Sequence, residues 1–328
     1  MSTYGGCGDV ARNTLTCPVA DLLPGSHYDY QQLAQEVSDH FMPDSTAYYE
    51  LWLDGEKVLA DGERVKVVPN RKETLYGATY MPRKHKMGIG LPHDNCIDIL
   101  TQDLALEAIE GEGGDVLGFN LLAGGGLGST HNKPDTFPRL ADRIGFLSPD
   151  QAIPVLEAAT TVYRDYGDRT NRRHARLKYV LEQRGAAWFR SEVEARLGWA
   201  PDDPAPAPEY SVDDHPAGSS RRTAGGCGRW VENGRVQDAP GRPTKAGLRA
   251  IVEIGPELRL TAHQNIVLAN IPAELKPRVE AMLAEYNPSA GGQELSTSDA
   301  THGLPRAADV RPRRGGERAL PARRRLGA

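Results

Sequence analysis

Apolar residues recur at helical spacing through Val155, Leu156, Ala159, Val162, Tyr163 and Tyr166, which predicts a helix. Its start is marked by Ser148 as N-cap, Pro149 at the first helical position and Gln151 closing a capping box; Gly167 is its stop. A second helix is expected over 170–184, stopped by Gly185, and a third over 186–197, stopped by Gly198. Upstream, "DILTQDLALEAIEGEGGDVLGFNLLAGGG" reads as two strands joined by a turn at Gly111–Gly114. "AYYELWLDGEKVLADGERVKV" carries Asp-Gly pairs between apolar runs, the chemistry of hairpins. Downstream, "WAPDDPAPAPEYSVDDHPAGSS" is rich in Pro, Asp and Ala and reads as a linker or surface excursion. A smaller unit follows: hairpin "GRWVENGRVQD", a helix capped by Thr244 and ended by Gly255 and Pro256, strand "ELRLTAHQNIVLANI", and helix "PAELKPRVEAMLAEYN". The pattern predicts an α+β fold in four parts: a mixed sheet/helix domain (1–200), a linker (201–221), an α+β half-domain (222–290) and a disordered tail (291–328).

The chain has 328 residues and a net charge of −5, unevenly spread. Residues 301–328 hold eight Arg against Asp309 and Glu317, so the tail carries +6 and residues 1–300 carry −11. A body that acidic is a poor nucleic-acid binder, although a basic tail alone could touch phosphates. No apolar run is long enough to span a membrane, and the first residues have no signal-peptide pattern. Cys7, Cys17, Cys96 and Cys227 match no CxxC spacing and are expected as reduced thiols of a cytoplasmic protein.

Four stretches carry candidate chemistry. In "YMPRKHKMGIG", a strand period of two would put Lys84 and Lys86 on one face and Arg83 and His85 on the other. Two adjacent ammonium groups repel unless an anion lies between them; the alternative is a solvated edge strand guarded by lysines. In "YGDRTNRRHARLKY", a helix would place Arg169, Arg172 and Arg176 on one face, suited to several carboxylates or phosphates, or simply to water. "GFNLLAGGGLGSTHNKPDTFPRLAD" has glycines that admit a ligand to the backbone, but neither a P-loop nor a dinucleotide fingerprint. Its lone His131 reads as a structural hydrogen bonder more readily than a metal ligand, because a metal site needs several ligands. In "GGCGDVARNTLTCP", Arg12 follows a Gly-rich turn. Together these cationic motifs suggest a large polyanion.

"CGDVARN", "YMPRKHKMGIGLPHDNCIDI", "GFNLLAGGGLGSTHNKPDTFPRLA", "DYGDRTNRRHARLKY" and "LRLTAHQNIVLANIP" occur in the order seen in the assimilatory sulfite and nitrite reductases, which the chain resembles over about residues 3–297. The resemblance implies sirohaem (siroheme), a tetrapyrrole with eight carboxylates, coupled to a 4Fe-4S cluster. It also implies ferredoxin or an NADPH-flavoprotein as electron donor, and six-electron reduction of sulfite to sulfide or nitrite to ammonium. By the same resemblance Arg12, Lys84 and Lys86 surround the substrate anion, and Arg83, Asn120, Arg169, Arg172 and Arg176 hold the sirohaem. The half-domain at 222–290 is then ferredoxin-like. Asp168 stands where the family usually has Asn and puts a carboxylate among anionic groups; Ala11 stands where many members have Asn.

The family's cluster cysteines follow C-x5-C and C-x3-C, and neither pattern occurs in this chain. One choice of codons for residues 301–312, read one base onward, gives Arg-Met-Ala-Cys-Pro-Ala-Leu-Pro-Thr-Cys-Gly, which contains C-x5-C. A frameshift between Glu294 and Thr301 is therefore expected, with an internal start at Met1. A chain so cut would lack the cluster and would not turn over; a non-catalytic remnant is the competing reading.

Overall fold

In the computed structural model the described residues are 10–22, 27–44, 51–53, 56–58, 73–92, 94–208, 210, 229–231, 245–255, 257–260, 262, 266–269, 272–275, 277–279 and 281–282. The first strands are β1 (Leu15–Thr16), β2 (Leu51–Leu53), β3 (Glu56–Val58), β4 (Met87–Gly90), β5 (Leu104–Glu110), β6 (Val116–Ala123) and β7 (Asp142–Leu147). The helices beside them are α1 (Tyr30–His40), α2 (Ala152–Tyr166), α3 (Leu177–Arg184) and α4 (Ala186–Leu197). Five strands form one mixed sheet in the order β1-β4-β5-β6-β7. β1, β4 and β5 run parallel, and β5, β6 and β7 are antiparallel. β2 and β3 pair as the hairpin that the Asp-Gly chemistry predicts, with Leu51 opposite Val58.

The β5–β6 pair is the expected two-strand unit, joined through the turn at 111–114. Both strands read as nearly continuous apolar runs because Leu104, Leu106, Phe119, Leu121 and Leu122 are fully buried. α2 packs on β5, α3 on β6 and α4 on β7. α2 starts as expected: Ser148 and Gln151 form the capping box, with Pro149 opening the first turn. Gly198 ends α4 in a left-handed conformation.

Two sequence expectations are corrected. The second helix begins at Leu177, not near 170, so Arg169, Arg172 and Arg176 share no helix face. The Asp168 carboxylate accepts hydrogen bonds from the backbone of Thr170 (2.7 Å) and Asn171 (2.9 Å), and the Asn171 side chain accepts from Arg173 N. Such short polar side chains offer the backbone an alternative to the helix ladder. The run expected as one strand at 257–271 is two, β9 (Glu257–Leu260) and β10 (Ile266–Ala269), paired antiparallel. The polar segment between them interrupts the apolar pattern.

β10 also pairs with β8 (Arg229–Val231), giving the sheet order β8-β10-β9. With α5 (Lys245–Ile254) this makes a second small core of Ile251, Ile254, Leu268, Val279 and Met282. Arg259 of β9 ties that unit to the first: its guanidinium pairs with the Asp21 carboxylate and donates to Pro18 O at 2.7 Å. The start of the Pro-rich stretch is docked. Asp202 exchanges backbone hydrogen bonds with Phe146 of β7 (2.9 and 3.0 Å), and Arg190 holds Pro201 O at 2.6 Å. Thr244, Pro256, the N-terminal Cys7 and the tail lie outside the described residues. No helix among the described residues is long and apolar enough to cross a membrane.

Candidate functional site

The cationic motifs converge where β1, β4 and β5 lie side by side. Ala11 bridges His85 in parallel, and Arg12 N donates to His85 O at 2.9 Å, so the backbone of Arg12 is fixed beside the Lys84–Lys86 segment. The segment is extended but becomes regular strand only at Met87. Lys84, His85 and Lys86 alternate as the sequence predicts, whereas Arg83, expected to share the face of His85, lies in a bend and is half-buried like the lysines. His85 is fully buried and its Nε2 lies 3.0 Å from Thr160 Oγ1 on α2, while Lys84 and Lys86 are half-buried. Burial keeps the His85 imidazole neutral down to about pH 4, Arg176 adding to the effect against the opposing Asp103 carboxylate.

Lys86 sits in a positive field. Its ammonium is pushed below its ordinary pKa by burial first, then by Arg176, with Lys84 and Arg12 adding and Asp103 alone opposing. Asp103 is in turn committed: fully buried, it accepts from Arg176 Nη2 at 2.8 Å and Nε at 3.1 Å, and from Lys86 N at 3.1 Å. Arg83 is half-buried, and its Nη1 is buried with no hydrogen-bond partner among the described residues. A buried guanidinium nitrogen in that state costs free energy until an acceptor reaches it. Excess buried cation plus an orphaned donor fit a polyanion such as the sirohaem carboxylates.

The Arg169–Arg176 stretch is different. Arg169 donates to Thr79 O (3.1 Å), Tyr80 O (2.6 Å) and Arg164 O (2.9 Å), clamping the turn that enters Arg83–Lys86. Tyr80 there has a left-handed φ of 53°. Arg176 spans Asp103 and Gly125 O. Arg172 is exposed. The Asp168 carboxylate is consumed locally; its backbone hydrogen bonds, that from Asn171 first, hold it below the ordinary range. Asn120 is fully buried on β6. Its amide donates to Glu107 Oε2 (3.0 Å) and Ala205 O (3.1 Å) and accepts from Ala205 N (2.8 Å). It braces the sheet against the docked stretch, in a network completed by Arg143 and Tyr210 on Glu107.

The glycine run sits against these cations. A Cβ on Gly126 would meet the Arg176 guanidinium at 2.5 Å, so this position admits no side chain without displacing Arg176. Lys178, almost wholly buried, donates to Gly126 O, Gly128 O and Phe137 O and fastens the loop. Asp103 and Glu107 escaped the sequence reading, although an acidic residue inside the apolar run of "QDLALEAI" is a signal of a buried partner.

Among the described residues a 4Fe-4S cluster finds no set of four thiolates. Cys17 and Cys96 come together with Asp94, and they are the two cysteines among the described residues.

Residues 7–201 match the family model described as nitrite and sulphite reductase 4Fe-4S domain, and residues 230–286 match the nitrite/sulfite reductase ferredoxin-like half domain. The chain is 43% identical over 292 residues to the sulfite reductase (NADPH) hemoprotein beta-component of Myxococcus xanthus, covering 87% of this chain and 49% of that protein. It is 39% identical over 297 residues to the protein of the same name from Paenibacillus sp., covering 89% and 50%. The chain thus spans about half the length of the curated relatives it matches. The solved NirA protein of Mycobacterium tuberculosis superposes with a TM-score of 0.61 at 25% identity, covering 85% of this chain and 44% of that one. This α+β chain belongs to the nitrite and sulphite reductase family.

Proposed function

We propose that this chain forms the sirohaem-facing part of a sulfite reductase. The observations that carry the reading are the cationic field around half-buried Lys86 and the buried Arg83 Nη1, which has no hydrogen-bond partner among the described residues. Arg12, Lys84 and Lys86 bind the sulfite anion, offset its charge and hold protons where oxygens leave. Arg83 pairs with sirohaem carboxylates, and exposed Arg172 reaches others. Arg169 and Arg176 serve the same ligand by fixing the Arg83–Lys86 segment and the glycine run. Asn120 contributes through the sheet it braces. Sirohaem, when bound, supplies the iron at which six electrons reach the substrate. A 4Fe-4S cluster, which the family description names, needs four thiolates, and the described residues contain two cysteines.

Sulfite is favoured over nitrite, and an NADPH-dependent flavoprotein over ferredoxin, because the relatives carry the name sulfite reductase (NADPH). The cytoplasm is the proposed location. Nitrite remains the second reading, because the same cationic pocket suits both anions. The test is optical. Purified chain is loaded with sirohaem and titrated with sulfite and with nitrite. The proposal expects bound sirohaem whose spectrum shifts at lower sulfite than nitrite. Failure to retain sirohaem, or a preference for nitrite, contradicts it.

A further inference from the structure

A second constellation lies apart from the cationic residues. Parallel β1 and β4 are neighbours in register, Leu15 beside Gly88 and Thr16 beside Ile89. Cys17 follows β1 directly, and Asp94 and Cys96 lie in the turn that follows β4, so the C-terminal ends of both strands deliver side chains to one point. The ligand atoms of Cys17, Asp94 and Cys96 all lie within 4.8 Å of one another. The three residues are only 2%, 4% and 7% exposed. Both cysteines are free thiols.

The local backbone holds them in place. Asp94 bridges Leu91, and its Oδ1 accepts from Cys96 N at 2.8 Å. The turn is braced by Ile99 N on Asn95 Oδ1 (2.7 Å), Asp98 N on Asn95 O (2.9 Å) and the Gln102 amide on Ile97 O (2.9 Å). On the other side, Gln31 of α1 donates to Cys17 O at 2.7 Å. Loops this constrained pre-position ligands.

We propose that Cys17, Asp94 and Cys96 form a mononuclear site for a borderline-soft divalent cation of the zinc class. Two thiolates and a carboxylate are a donor set zinc accepts, and tetrahedral geometry with sulfur at about 2.3 Å sets sulfurs about 3.8 Å apart, within the spread observed. The carboxylate decides between a metal and a disulfide. Asp94 is buried with its carboxylate accepting hydrogen bonds from Cys96, and a buried carboxylate is further stabilised by a compensating charge. Joining the sulfurs would leave it without one, whereas a dication answers it. Two cysteines also distinguish this site from a 4Fe-4S cluster, which needs four ligands of that kind.

The test uses the full chain in a Cys7→Ser/Cys227→Ser background, leaving Cys17 and Cys96 as the remaining thiols. Co2+ is titrated into reduced, metal-stripped protein and then displaced by Zn2+, with circular dichroism as a control on folding. The proposal expects one Co2+ per chain with a thiolate-to-cobalt charge-transfer band that Zn2+ abolishes. Cys17→Ser and Cys96→Ser should each remove the band, and Asp94→Asn should weaken affinity by about tenfold or more. If a substituted chain fails to fold, the titration of the unsubstituted site still decides. No band in reduced protein, a band that survives loss of both cysteines, or a Cys17–Cys96 disulfide re-forming in air while Co2+ finds no thiolate, overturns the site.

Discussion

Arg83–Lys86 and Arg169–Arg176 look alike in sequence: each is a dense run of positive charge among few acids. In the fold they are opposites. Arg169 spends its guanidinium on three backbone carbonyls, and Arg176 spends its on Asp103 and Gly125 O. Lys86 instead stands in a field where burial and three cations outweigh one carboxylate, and Arg83 keeps a buried nitrogen with no hydrogen-bond partner among the described residues. Counting arginines does not locate a binding site; asking what each guanidinium already holds does. Arg169 and Arg176 build the frame, and Arg83–Lys86 is the run proposed to offer its charge to a ligand.

The sharpest way to break this contrast is Arg176→Ala. Asp103 would be left fully buried without its partner, a loss of about 3–5 kcal/mol. Arg176→Lys should recover only part of it, because a lysine cannot reproduce the fork. Urea denaturation measures both, and tolerance of the alanine would show that Arg176 is not structural.

Next in size is a pH effect on the inward face of the other run. His85 has a folded pKa of about 4 against an ordinary 6.5, so the unfolded chain binds the extra proton first. Stability contributed by neutral His85 is complete above pH 6.5 and is lost as pH falls toward 4, by about 3 kcal/mol. The groups facing it include Thr160, Tyr163, Asp103 and Arg176. His85→Gln should flatten that part of a plot of unfolding midpoint against pH; an unchanged slope would assign the acid sensitivity to other groups.

The smallest effect belongs to Arg172. It is exposed, and Arg172→Ala should change stability by no more than about 0.5 kcal/mol. A larger loss would mean that the loop uses all its arginines as frame.

Much of this was legible in the residues. The capping box at Ser148, the β5–β6 turn and the glycine stops follow from local chemistry, which acts the same in any tertiary setting. The alternation of Lys84, His85 and Lys86 also survived, because a strand's period is fixed by its backbone. What misled was the segment from Thr170 to Arg176. Its charges fit a helical period, but the stretch is a series of turns held by the Asp168 and Asn171 side chains, and the regular helix starts only at Leu177. The bracing contacts of Asn120 were hidden for another reason: its partners, Glu107 and Ala205, are fixed by sheet pairing and by a docked Pro-rich stretch that reads as linker. An acid in an apolar run signals that Asp103 has a buried partner but does not say which residue it is, and Arg176 lies 73 positions away.

The most direct test of the central claim is sirohaem affinity, measured by absorbance titration of the wild-type chain and of an Arg83→Ala/Lys86→Ala variant, with unfolding midpoints recorded in parallel. The account predicts that the wild type binds, and that the variant binds at least about tenfold more weakly, corresponding to about 1.4 kcal/mol, while unfolding at a similar midpoint. Equal affinity in the two proteins, or a variant that loses binding only because it no longer folds, would contradict the claim that Arg83–Lys86 offers its charge to a ligand.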